Sequence, residues 1–146
     1  VNTFKRDAAM RLTSKSEYAL LALVYLARQP HDAYIRVDKI ATEQNIPPQF
    51  LEQILLILKR GRVLTSLKGQ HGGYRLAKPA HDITLAEVIR LIDGPLAPTE
   101  SVSLNFYRST PIEKEQALVQ VFAKVRDCML AILENTTLAN LSHPTP

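Results

Sequence analysis

Two interruptions between Asp38 and Lys78 limit what this chain can fold into. The first is Asn45-Ile46-Pro47-Pro48, which ends a short helical pattern over about Val37–Gln44 with Ile40 and Ala41 on its inner side. Proline has no amide proton for a helix interior but suits a first turn, so Pro47 or Pro48 is expected to open the next helix. There Leu51, Ile54, Leu55 and Leu58 recur at i, i+3, i+4 and i+7, one apolar stripe. Gln49, Glu52, Gln53, Lys59 and Arg60 fall largely off that stripe. Leu56 is an apolar residue near the polar side, suited to a thymine methyl or to packing on a neighbour. Gly61 is a stop signal, and Lys59 and Arg60 suit the negative end of the helix dipole.

The second interruption is Gly69-Gln70-His71-Gly72-Gly73, a tight turn between β-prone Val63–Leu67 and an alternating return strand, Tyr74–Ala77. Tyr34-Ile35-Arg36 is a candidate third strand. Two helices followed by a hairpin make a winged helix-turn-helix. The expected fold class is mainly α with a small β-hairpin wing, completed by a long C-terminal dimerisation helix. Between Lys59 and Lys78 there are six basic residues (Lys59, Arg60, Arg62, Lys68, Arg75, Lys78) and no acid. A basic hairpin next to a Gln-rich helix suits a phosphate backbone and base edges, so double-stranded DNA is the expected partner. The plain alternative is a solvated hairpin on a small domain that docks on a protein.

The charge distribution agrees. Residues 1–94 carry 14 basic and 9 acidic side chains, and residues 95–146 carry 4 and 5. The basic excess therefore lies with the winged segment. One cysteine excludes an intramolecular disulfide and fits a reducing cytoplasm, the expected location. The longest apolar run, Tyr18–Ala27, is too short to span a bilayer, so no membrane role is expected. No catalytic triad, phosphate loop or metal-ligand spacing appears, so no catalytic residue, metal ligand or enzyme activity is expected.

The chain divides into an N-terminal arm (1–9), the winged domain (10–94), a linker (95–111), a dimerisation helix (112–135) and a flexible tail (136–146). Arg11 is either a phosphate contact or a free surface charge. A first helix over Ser14–Gln29 opens on Ser14-x-x-Glu17, a capping-box pattern, and is apolar nearly all round. It is expected to touch both the winged segment and the C-terminal helix. Thr84-x-x-Glu87 is a second capping box, opening a helix to Ile92 with Leu85, Val88, Ile89 and Ile92 inward. In the last helix Leu118, Phe122, Val125, Met129 and Ile132 step by 4, 3, 4 and 3, a heptad seam widened by Val121 and Cys128. That seam is expected to close on the first helix and on a second copy. Two-fold symmetry would set two recognition helices about one DNA turn apart.

Residues Met10–Gly94 resemble the Rrf-two family of bacterial winged-helix transcription regulators, kin of the iron–sulfur cluster regulator and the nitric-oxide-sensing repressor. The matching pieces are Met10-Arg11-Leu12-Thr13-Ser14 with Tyr18-Ala19-Leu20, Phe50-Leu51-Glu52-Gln53, Lys68-Gly69-x-x-Gly72-Gly73-Tyr74-Arg75-Leu76-Ala77 and Ile83-Thr84-Leu85-Ala86-Glu87-Val88-Ile89. The resemblance implies a homodimeric repressor or activator. It sets Gln49, Glu52 and Gln53 at positions that read DNA, with Gln49 replacing the family's common serine. It sets Lys68 at the minor groove, with His71 where glycine is frequent and an exposed turn histidine as the plain reading. Gly72 and Gly73 serve the turn, and Lys59, Arg60 and Arg75 complete the expected DNA-contacting set.

Glu17 matches a cluster-ligating position in some relatives, against its plain reading as a cap. Cluster-binding relatives carry three cysteines in the stretch corresponding to Pro95–Pro111, which here has neither Cys nor His. An iron–sulfur cluster is therefore not expected. The signal is left to a protein partner, a small ligand, or oxidation at Cys128, whose plain reading is a small apolar core residue.

Overall fold

The structure, a computed structural model, describes residues 11–142; Met10 and the expected arm lie outside that range, as do residues 143–146. The described elements are α1 (Ser14–Ala27), α2 (Val37–Gln44), α3 (Pro48–Arg60), β1 (Leu64–Leu67), β2 (Gly73–Leu76), α4 (Leu85–Ile92), α5 (Gln116–Leu133) and α6 (Leu138–Leu141). Short 3-10 turns cover Ala80–Asp82, Glu100–Val102 and Pro111–Lys114.

The winged segment follows from its punctuation. Pro47 is the N-cap of α3 and Pro48 its first residue, where the missing amide proton costs nothing. Leu51, Ile54, Leu55 and Leu58 are fully buried, joined by Ile40 of α2 and by Ala19, Ala22 and Leu23 of α1. β1 and β2 are antiparallel, with Leu64 opposite Leu76 and Leu67 opposite Gly73. The expected third strand is a single bridge, in which Ile35 and Tyr74 exchange two backbone hydrogen bonds of 2.8 Å.

The turn between α3 and β1 is a Schellman motif. The Val63 amide donates to the Leu58 carbonyl (2.9 Å) and the Arg62 amide to that of Lys59 (3.0 Å). Val63 and Leu58 are both fully buried, the apolar contact this motif carries. The motif needs one left-handed residue, usually glycine, yet here it is Arg62, with φ 62°. A side chain in that conformation costs about 1–2 kcal/mol, and glycine returns about 0.5–1 of it through unfolded-state entropy. Arg62→Gly is therefore expected to stabilise the protein by about 0.5–1 kcal/mol, read as a higher urea midpoint at fixed protein concentration. A lower midpoint would mean that the arginine side chain makes a compensating contact.

Several sequence expectations need correction. The cap of α1 is Thr13, not Ser14: the Ser16 amide donates to Thr13 Oγ1, and Thr13 in turn bonds the Asp93 carboxylate. Thr84 does cap α4 through the Glu87 amide (3.1 Å), but the Glu87 carboxylate pairs with Lys78 Nζ at 2.6 Å, leaving half a capping box. The linker is packed rather than loose in its first half. Leu96, Ala97 and Val102 are buried, and Leu96 joins Ala86, Ile89 and Leu130 in a second small core. The last long helix starts at Gln116, after a 3-10 turn, rather than at Ile112.

That helix, α5, packs mainly on α4 and the two preceding 3-10 turns, not on α1 as expected. Only Leu130 is buried within it. Leu118, Val121, Val125, Cys128 and Ile132 are exposed, and Phe122 and Met129 are half-buried. The expected seam thus exists but faces outward, and Cys128 is not a core residue of the protomer. In place of α5, α1 contacts α6. The expected flexible tail is therefore part of the fold as far as Ser142. Thr137 and Asn140 form a capping box, and Leu138 is fully buried.

Candidate nucleic-acid interface

With 3.6 residues per turn, Gln49, Gln53, Leu56 and Arg60 fall on one line along α3, opposite its buried stripe. Glu52 and Lys59 flank that line on one side and Phe50 on the other. All seven side chains are exposed. The face is polar over its first turns, carries the apolar Leu56 in its middle, and is basic toward its C-terminal end.

The wing carries the other half. Lys68, Gln70 and His71 are exposed at its tip. The Gly72 amide closes the turn onto the Gly69 carbonyl (3.0 Å). Arg36, just before α2, donates from Nη1 to the Gln70 carbonyl (3.3 Å) and so ties the tip to the helical body. Nothing local in the sequence signals this contact between residues 34 positions apart. Gly73 has the special backbone angle expected of it (φ +148°), whereas Gly72 does not and is restricted to glycine by close approach alone. A Cβ on Gly72 would lie 2.0 Å from the Leu67 carbonyl oxygen, and one on Gly73 2.2 Å from that of Ile35.

The cations of the basic run are not equivalent. Lys59, Arg60, Arg62 and Lys68 are exposed and have no carboxylate partner among the described residues. Lys78 is paired with Glu87. The Arg75 guanidinium lies over the Tyr34 ring, 4.3 Å from its centroid, and donates to the Asp32 carbonyl (3.1 Å). Arg75 therefore braces the loop before Ile35, a structural task the sequence did not signal. It also lines a cleft of about 570 Å³ between residues 26–33 and 75–80. Arg11 is exposed, ahead of α1.

Two other polar groups lie away from this surface. Glu17 is exposed in the first turn of α1. Hydrogen bonds from Ser109 and Tyr107 hold the Glu113 carboxyl below its ordinary range, and the same bond raises the Tyr107 phenol.

The sequence pattern of one family, Rrf2, described as iron-dependent transcriptional regulator, matches residues 12–144. The chain belongs to the Rrf2 family. A Mycobacterium tuberculosis (strain H37Rv) protein that bears the name putative HTH-type transcriptional regulator Rv1287 is 41% identical over 134 residues, covering 91% of this chain and 81% of that one. CymR of Bacillus subtilis is 27% identical over 136 residues, covering 93% and 92%. The solved structure of B. subtilis CymR, named the global cysteine regulator, covers 94% of this chain and 99% of its own, with a TM-score of 0.74. IscR of T. potens superposes with a TM-score of 0.70 at 26% identity, over 90% and 85%. This Rrf2 protein is thus a winged-helix, DNA-binding transcription regulator and not an enzyme. Among the described residues no helix is long and apolar enough to cross a membrane.

The family description implies iron, and the donor set can be tested against it. A cluster needs several thiolates, or histidine or carboxylate in their stead, converging on one point. The single thiol, Cys128, is exposed on α5. Glu17 lies on α1, whereas α5 packs mainly on α4 and the two 3-10 turns before it. Residues 95–111 offer neither Cys nor His. Among the described residues no three Cys, His, Asp or Glu side chains converge. These residues do not fit a family-type cluster.

Proposed function

We propose that this Rrf2 protein is a cytoplasmic homodimer that binds a (pseudo)palindromic duplex without an iron–sulfur cluster. A protein or small-molecule effector sets its activity. The observation that carries the reading is the outward row of Gln49, Gln53 and Arg60 on α3, followed directly by a wing whose exposed Lys68 has no carboxylate partner among the described residues. Glutamine can bond adenine bidentately, Glu52 can accept from cytosine N4, and unpaired cations suit phosphates. The exposed α5 seam supports the dimer, since a heptad stripe left in water by one protomer is covered by a second copy in two-fold symmetry. A small effector has room in the cleft beside Arg75, at the base of the wing.

The test is a salt titration of duplex binding. Lys68→Ala is expected to weaken all duplexes alike and to lower the salt slope by about 1. Gln53→Ala is expected to cost about 1–3 kcal/mol on the preferred duplex and little on random DNA. Unchanged binding by both variants would remove these residues from the interface. Val125→Asp is expected to give a folded monomer by sedimentation, with operator affinity lower by about 100-fold through lost bivalency. Anaerobic purification is expected to yield a colourless, iron-free protein that binds duplex DNA; bound iron with a sulfide charge-transfer band would overturn the cluster-free reading.

A further inference from the structure

Two large apolar side chains stand in water on α3, whose proposed contacts to adenine and cytosine edges are made in the major groove. Phe50 is 50% exposed and Leu56 is 45% exposed. Neither belongs to the two cores. The inner stripe of α3 is already complete with Leu51, Ile54, Leu55 and Leu58, so the fold gains little from an apolar group at either position. Leu56 lies in the central row between Gln53 and Arg60, and Phe50 lies in the first turn, beside Gln49. In helix-turn-helix proteins the N-terminal part of the recognition helix meets the base edges. The major groove offers one apolar feature there, the 5-methyl group of thymine, which side chains such as phenylalanine contact.

We infer that Phe50 and Leu56 are specificity-determining residues that read thymine methyl groups in the operator. The inference rests on the proposed reading of α3 as the major-groove helix. Burial of each methyl removes apolar surface from water on both partners, without a hydrogen bond to align. Six residues at 1.5 Å rise separate the two side chains by about 9 Å along α3. The two thymines are therefore expected at separate positions in each half-site.

The experiment uses the full chain. A preferred duplex is selected from a random library, and each thymine in it is then replaced singly by deoxyuridine, which deletes the methyl group and leaves base pairing intact. At two positions per half-site the wild type is expected to bind about fourfold more weakly, the size of one buried methyl. Phe50→Ala should abolish the uracil penalty at one of these positions, and Leu56→Ala at the other. Both side chains are exposed, so both variants should keep the wild-type thermal transition.

A selected half-site without thymine would overturn the inference, as would uracil penalties that persist unchanged in both variants. If uracil has no effect while Gln53→Ala still weakens the preferred duplex, the methyl contacts are wrong and the interface stands. If neither Gln53→Ala nor the two apolar variants changes binding, the assignment of α3 fails, and this inference with it.

Discussion

Gly73→Ala is expected to destabilise the protein by about 3–5 kcal/mol and to lower operator affinity more than any single cation loss in the wing. Gly73 adopts φ +148°, where a side chain is strained. Its added Cβ would lie 2.2 Å from the Ile35 carbonyl oxygen and 2.3 Å from the carbonyl carbon. Both obstacles are backbone, so no rotamer change relieves them. The Ile35–Tyr74 bridge must open, losing two hydrogen bonds worth about 1 kcal/mol each on top of about 1–3 kcal/mol of strain. Gly69→Ala is the matched control. It shares the positive φ (+109°) but has open space where its Cβ would go, so only the strain is expected. Urea denaturation of both variants separates the two contributions. A Gly73→Ala midpoint equal to that of the control would show that the close approach to Ile35 relaxes freely. The affinity loss follows because this bridge, with Arg36 on the Gln70 carbonyl, holds the wing tip against the helical body.

What could be read from the sequence was whatever repeats locally. The stripe of α3 is a periodic signal within one element, and Pro47, Pro48 and the Gly69–Gly73 turn mark its surroundings by their own backbone limits. The two strands of the wing therefore emerged with bounds within one residue of those observed. Long-range partners left no such trace. Ser14 and Thr13 are equally good caps by residue type, and Thr13 is selected by Asp93, far along the chain. Arg75 and Lys78 count as free charge in a composition, yet Tyr34, Asp32 and Glu87 occupy them. The 4-3 spacing of α5 identified an apolar stripe correctly but could not say which neighbour it meets. In the protomer most of that stripe stays in water, with Phe122 and Met129 half-buried, and Leu130 on the inner side of the helix packs on α4. Glu52 and Gln53 were legible as outward-facing because they lie off a strong buried stripe. Phe50 entered the sequence reading only as part of a family motif, and its exposure emerged with the packing of α3.

Leu138→Ala is expected to cost about 2–5 kcal/mol, as large as a substitution in the centre of α3. The side chain is fully buried in the main core. It lies in a four-residue helix, too short to show any period, within a stretch whose composition reads as frayed. Two backbone hydrogen bonds hold it: the Leu138 amide donates to the Ile83 carbonyl and the Leu85 amide to that of Thr136, each 2.9 Å. The same segment closes α5 onto α4, where Arg90 Nη2 meets Glu134 Oε1 at 2.7 Å. Leu141→Ala serves as control, since that side chain is 38% exposed and should cost under about 1 kcal/mol. A Leu138→Ala loss below about 1 kcal/mol in calorimetry would mean that α6 does not belong to the cooperative unit. The consequence reaches the DNA. The end of α5 is fixed to the winged domain through α6, so the outward seam has a defined orientation relative to α3. In the dimer proposed above, two copies joined at that seam would hold their recognition helices at a set separation, about 34 Å for half-sites one turn apart. Loosening α6 blurs that separation, so Leu138→Ala should flatten the dependence of affinity on half-site spacing even at temperatures where the variant remains folded.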